Sequence, residues 1–330
     1  MDINIQYLGS RKQTDILQYT LKNDLGMEVH LLSWGATIRR ILLPFFDGSR
    51  KNIVLSYADW TDYIDNPIYA GATIGPSTGP HHNNSGISYP SIRNWTEVET
   101  RVDQEGCSVK LSAVLSDGEG GDPGKRELKV IYTLSNDNAL RIRYLGTTDQ
   151  ETYLNLSNHT YINLSGDFTR SALEQKLQIN SSMAVVNYRD QTPAAYSPCA
   201  HSPFDFSSNQ RISEQLLKYQ KNSQLQSAKG FNHAFLLTES SLGSRALTLG
   251  SDSSGYSMDL YTDAPCVCFY SGGLIDNSLY LFGDVRSQKS CAVVLSPQDL
   301  PDTPHFCPER CSYTTPDNPY ERTILYRFFR

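Results

Sequence analysis

The sequence predicts an all-β protein, a large antiparallel β-sandwich, on three observations. Short runs of alternating apolar and polar residues recur along the chain, bounded by clusters of Gly, Pro, Asn, Asp and Ser. Aromatic residues are abundant, with 20 Tyr and 12 Phe in 330 residues, and pleated surfaces favour such side chains. Helical periodicity is scarce, so no layer of crossover helices is expected.

Taken in order, LKVIYTL (128–134) and ALRIRYL (139–145) alternate cleanly around the turn formers Ser135, Asn136, Asp137 and Asn138, which predicts a hairpin. NLSNHTYINLSGD (155–167) reads as a further strand. RISEQLLKYQ (211–220) is the best helix candidate, an amphipathic turn or two. CAVVLS (291–296) is apolar enough to be covered on both faces, and TILYRFF (323–329) is a last strand. No Gly/Ser- or Pro-rich linker, block of like charge or internal repeat interrupts the chain, so residues 1–330 read as one domain.

Composition narrows the function. A net charge of −6, from 29 basic and 35 acidic residues without a basic cluster, argues against a nucleic-acid partner. The N-terminal stretch lacks a signal pattern and no segment approaches a membrane span, so a cytoplasmic protein without membrane association is expected. Seven cysteines, an odd number, suit a reducing compartment. Cys266 and Cys268 would share one face of a strand, and Cys307 and Cys311 lie in a Pro-containing segment, but paired C-x-x-C knuckles are missing and no metal is expected. Nothing implies an organic cofactor. Oligomeric state is left open.

The segment 155–167 is the most informative. As a continuous strand it would place Tyr153, Asn155, Ser157, His159, Tyr161 and Asn163 on one face and Leu154, Leu156, Ile162 and Leu164 on the other. Amides, hydroxyls and an imidazole suit a polyol, and the imidazole can move a proton near neutral pH. The same pattern also fits an ordinary solvated face of an antiparallel sheet.

NLSNHTYINLSG resembles the NLTNHSYFNLAG signature of the aldose 1-epimerase (galactose mutarotase) family. The resemblance extends to residues 25–44, 66–75 and 117–149, then to PFDF (203–206), GFNHAFLL (230–237), YTDAPCVCFYSGG (261–273) and LSPQDLPD (295–302), all in the family's order. It implies the galactose mutarotase-like supersandwich fold and a monosaccharide or other small carbohydrate as ligand.

The implied reaction opens a sugar ring at C1 and closes it on the other face. A base takes the anomeric hydroxyl proton while an acid protonates the ring oxygen. By resemblance His159 is the acid, and Gln298 and Asp302 match the glutamine and aspartate of the late motif. The family's basic glutamate is replaced by Ser296. Pro76, Gly79 and Pro80 stand where an arginine, asparagine and arginine are expected, Asn232 replaces an aspartate, and the loop carrying a second histidine is too short between Tyr89 and Thr96.

A serine hydroxyl does not ionise near pH 7, so the base must come from elsewhere. Asp299 and Asp302 are candidates, as are His81 and His82 in the loop GPHHNNSG. Asn155, Tyr161, Asn232, Gln298, Asp302 and His82 are the expected sugar-binding set. The implied function is anomer interconversion of a free hexose or related sugar. Chemistry at another sugar carbon, or sugar binding without catalysis, are the alternatives.

Overall fold

The computed structural model describes residues 1–76 and 89–330. Antiparallel β-sheet dominates. The first five strands, Asp2–Arg11, Thr14–Lys22, Glu28–Leu32, Thr37–Pro44 and Arg50–Asn52, form a meander in chain order. A nine-stranded sheet carries the hairpin Arg126–Leu134 and Ala139–Thr148, with the C-terminal strand Tyr320–Phe329 beside it.

The hairpin's alternation explains its place. Leu128, Val130, Tyr132 and Leu134 enter the core, while Glu127 and Lys129 face solvent. At the turn, Asn138 takes a positive φ of 56°, and the Ser135 amide closes the loop on the Ala139 carbonyl at 3.0 Å. Ile212–Lys218 is helical, within the expected segment, and a second short helix spans Ser223–Ser227. No helix among the described residues is long and apolar enough to cross a membrane.

A six-stranded sheet positions the site. Its order is Tyr161–Ile162, Val293–Gln298, Cys266–Tyr270, Asn232–Leu237, Ser181–Asn187 and Pro193–Pro198. One face presents Val293, Leu295, Val267, Phe269 and Phe235 to the main core, where Phe231 stacks on Phe269 with centroids 5.0 Å apart. Every residue of Val293–Gln298 is buried, as its apolar run predicts.

The segment 155–167 departs from the continuous strand expected. Just before it Thr152–Tyr153 pairs with Tyr313–Thr314, and within it Ser157–Asn158 pairs with Thr73–Ile74 and Tyr161–Ile162 with Val293–Val294. The chain crosses between sheets here, and its amides hold the crossing. Asn158 Nδ2 donates to the Gly71 carbonyl at 3.0 Å, and Asn163 Nδ2 donates to that of Cys291 at 2.9 Å. Backbone groups left unpaired by a broken ladder need such partners.

Candidate active site

The second face of the six-stranded sheet is polar at one end, and strand alternation sets its content. Val294, Ser296 and Gln298 point to this face from one strand, Cys268 and Tyr270 from the next, and Asn232 and Ala234 from the third. Register aligns them in rows: Ser296 opposes Cys268, which opposes Ala234, while Val294 opposes Tyr270, which opposes Asn232. His159 reaches the same cavity from the crossing segment, and Ile74, Asn187, Gln191, His233 and Pro301 complete the described wall. The cavity measures about 310 Å³, the small end of ligand pockets.

Two backbone bonds fix His159. Its N–H donates to the Ala72 carbonyl at 3.0 Å, and its carbonyl accepts from Gly71 N–H at 2.9 Å. The imidazole packs edge-on against Tyr161 at 5.1 Å and Tyr69 at 6.4 Å. Burial lowers its pKa to about 4, only partly opposed by the Ile68 carbonyl, and no charged side chain among the described residues raises it. The ring is therefore neutral at pH 7.

Ser296 is held on the protein side. Its Oγ lies 2.7 Å from Ser157 Oγ and 3.1 Å from the Asn158 carbonyl, while Ser157 Oγ reaches the Pro297 carbonyl at 2.6 Å. Each hydroxyl has one proton. Both protons are taken up within this cluster, so Ser296 offers the cavity lone pairs and no ionisable proton. Gln298 Nε2 donates to Cys268 Sγ at 2.9 Å.

His233 is equally occupied. Its Nδ1 accepts from the Asn232 N–H at 3.0 Å, and its Nε2 faces Gln224 Oε1 at 3.4 Å, an arrangement that assigns the proton to Nε2. Gln224 in turn accepts from Asn187 N–H at 2.8 Å, and Asn187 Nδ2 donates to the Asn232 carbonyl at 3.1 Å. Burial lowers the His233 pKa to about 4. With both nitrogens engaged, this ring braces the cavity wall.

His159, Ser296, Asn232 and Gln298 thus line one cavity, although His159 and Gln298 are 139 positions apart in sequence. The other expected site residues lie elsewhere. Asn155 is fully buried and accepts from the Asp299 N–H at 3.0 Å, so it ties two segments together behind the cavity. Tyr161 is a buried prop for His159 and does not line the wall.

Asp299 is turned away from the cavity, with Arg322 Nη2 at 2.7 Å on one oxygen and the Tyr153 hydroxyl at 3.1 Å on the other. Asp302 is buried in a left-handed backbone conformation at φ 56°, where its carboxylate meets His305 Nδ1 at 2.8 Å. Neither carboxylate lines the described cavity wall. His81 and His82, with Gly79 and Pro80, lie outside the described residues.

The sequence reading omits Tyr270, Cys268, His233, Asn187 and Gln191. For Cys268 and Tyr270 a signal exists, since they alternate with the apolar Val267 and Phe269. Asn187 and Gln191 carry no local pattern and are brought in by packing. All seven cysteines are free thiols. Among the described residues no group of three or more His, Cys, Asp or Glu side chains is placed to hold a metal ion.

Comparison with known proteins agrees with this architecture. The chain is 28% identical over 338 residues to an aldose 1-epimerase of Escherichia coli K12, covering 94% of each chain. It is 24% identical to a maltose epimerase of Levilactobacillus brevis over the full length of both. A crystal structure of galactose 1-epimerase from Lactobacillus acidophilus superposes with a TM-score of 0.86 at 25% identity, covering 99% of this chain and 98% of the other. The sequence model of the family described as aldose 1-epimerase matches residues 76–327, and the chain belongs to that family.

Proposed function

We propose that this protein interconverts the anomers of a free hexose or related sugar, with His159 as its principal proton carrier. The reading is carried by one observation. An imidazole shares a small cavity with amide, hydroxyl and thiol groups, and no carboxylate, lysine or arginine lines its described wall. Such a lining suits an uncharged polyol. The family's relatives, named as epimerases of aldose, maltose or galactose, support the reaction type.

The electrostatics set the order of proton transfer. A neutral imidazole gives up its remaining ring proton only at prohibitive cost, so at pH 7 His159 first accepts the anomeric hydroxyl proton. The imidazolium so formed is then the general acid during ring closure. Without the carboxylate that the family carries at position 296, one strong proton acceptor is missing. A rate about 10²-fold below that of a relative with that glutamate follows.

Polarimetry on freshly dissolved α-glucose and α-galactose tests the reading. Acceleration above the buffer rate, proportional to protein concentration, is the expected result. Sugar binding with no acceleration would favour the reading of a carbohydrate-binding protein, which the neutral cavity also suits.

A further inference from the structure

If His159 takes the proton from the anomeric oxygen, a second group must give one to the ring oxygen. The described cavity wall narrows the choice. The protons of Ser296 and His233 are engaged within the protein, and Gln298 donates to Cys268. The Cys268 thiol is a weak donor to oxygen. Asn and Gln amides do not exchange a proton as acids at neutral pH.

Tyr270 differs from all of these. Its hydroxyl oxygen accepts the Leu274 N–H at 2.7 Å, which fixes its position, and its own proton has no acceptor among the described residues. It is half-buried, lines the cavity, and stands across from Val294 and Asn232. His159 and Tyr270 flank the Tyr161 ring, with centroids at 5.1 and 6.1 Å from it, so the two polar side chains bound the cavity from the crossing segment and from the strand Cys266–Tyr270.

We propose that Tyr270 is the second proton carrier, giving its phenolic proton to the sugar ring oxygen as His159 takes the anomeric hydroxyl proton. This inference rests on the reading of the protein as an anomerase. In ring opening the O1–H pair becomes the second bond of the C1 carbonyl, the C1–O5 bond breaks, and O5 takes the Tyr270 proton. Rotation about C1–C2 presents the other carbonyl face. O5 then returns its proton to the tyrosinate and bonds to C1, while O1 recovers a proton from the His159 imidazolium. All atoms and charges balance without a cofactor. Burial raises the Tyr270 pKa and the Leu274 amide opposes that rise, so the phenol is protonated at neutral pH.

The test is mutarotation by wild-type protein, Tyr270→Phe and protein with 3-fluorotyrosine at position 270. Phenylalanine keeps the ring and removes only the oxygen. The expected result is a fall in kcat of about 10²-fold with KM within about threefold, because the proton transfer is lost and little binding surface changes. Fluorination acidifies the phenol, so the alkaline limb of the kcat–pH profile should move to lower pH while the fold is unchanged.

Unchanged kcat in Tyr270→Phe overturns the proposal and leaves His159 as anomerase carrier. An unmoved alkaline limb in the fluorinated protein also overturns it, whether or not Tyr270→Phe folds. No mutarotation in the wild type overturns the anomerase reading and this inference together.

Discussion

Ser157 and Ser296, 139 positions apart in the chain, are locked together with their hydroxyl oxygens 2.7 Å apart at the cavity edge. Their two protons are shared among this contact and the Asn158 and Pro297 carbonyls. Position 296 is therefore structural in this protein, although the family resemblance places a base there. Ser296→Ala should leave mutarotation within about threefold and cost about 1 kcal/mol of stability, the net worth of a neutral hydrogen bond. Paired kinetic and denaturant measurements check both numbers.

Restoring a carboxylate should have the opposite effect. In Ser296→Glu the longer side chain extends into the cavity beside His159 and adds a proton acceptor. An increase in kcat of about 10²-fold is expected in the folded variant, with the imidazole pKa moved upward by the new charge. NMR titration of the His159 ring and polarimetry read these effects separately. A folded variant with no gain in rate would show that a carboxylate at position 296 cannot reach the reacting proton.

Acid should destabilise the protein through its buried imidazoles. His159 and His233 both have folded-state pKa values of about 4, against about 6.5 for an exposed histidine. His159 faces Tyr69 and Tyr161, and His233 faces the Phe204 ring, Gln224 and Asn232, with no carboxylate on either among the described residues. Between pH 6.5 and 4 the unfolded chain binds more protons than the folded one. Their contribution is therefore present above pH 6.5 and lost as pH falls toward 4. The slope of unfolding free energy against pH over this window should shrink in His233→Gln.

Much of the scaffold was legible in the sequence, and for physical reasons. The hairpin at 126–148 alternates because one face is buried, and the run 291–295 is apolar because it is buried on both faces. The crossing segment was less legible. Asn155 and Asn163 look like sugar ligands when a straight strand is assumed, but in the fold they satisfy backbone groups left free where the chain changes sheets. Asp299 and Asp302 misled in the same way. Arg322 and Tyr153 take both oxygens of Asp299, and Asp302 is buried with one oxygen on His305.

The Asp299–Arg322 pair gives a stability prediction separate from the chemistry. Both side chains are nearly buried, and the same aspartate anchors Asn155 and Tyr153 behind the cavity. Asp299→Asn should destabilise by about 3 kcal/mol, the low end for breaking a buried pair, since Arg322 keeps its contacts to Asp263. Urea denaturation measures the loss. A change below the usual scatter of surface substitutions would show that the pair contributes little.

Substitution of the His159 ring separates proton transfer from sugar binding in this cavity. His159→Gln keeps hydrogen bonding but cannot titrate. Mutarotation should fall by about 10²-fold or more, while sugar affinity measured by ligand-observed NMR stays within a few-fold. Turnover equal to that of the wild type, with affinity preserved, would rule out His159 as the proton carrier.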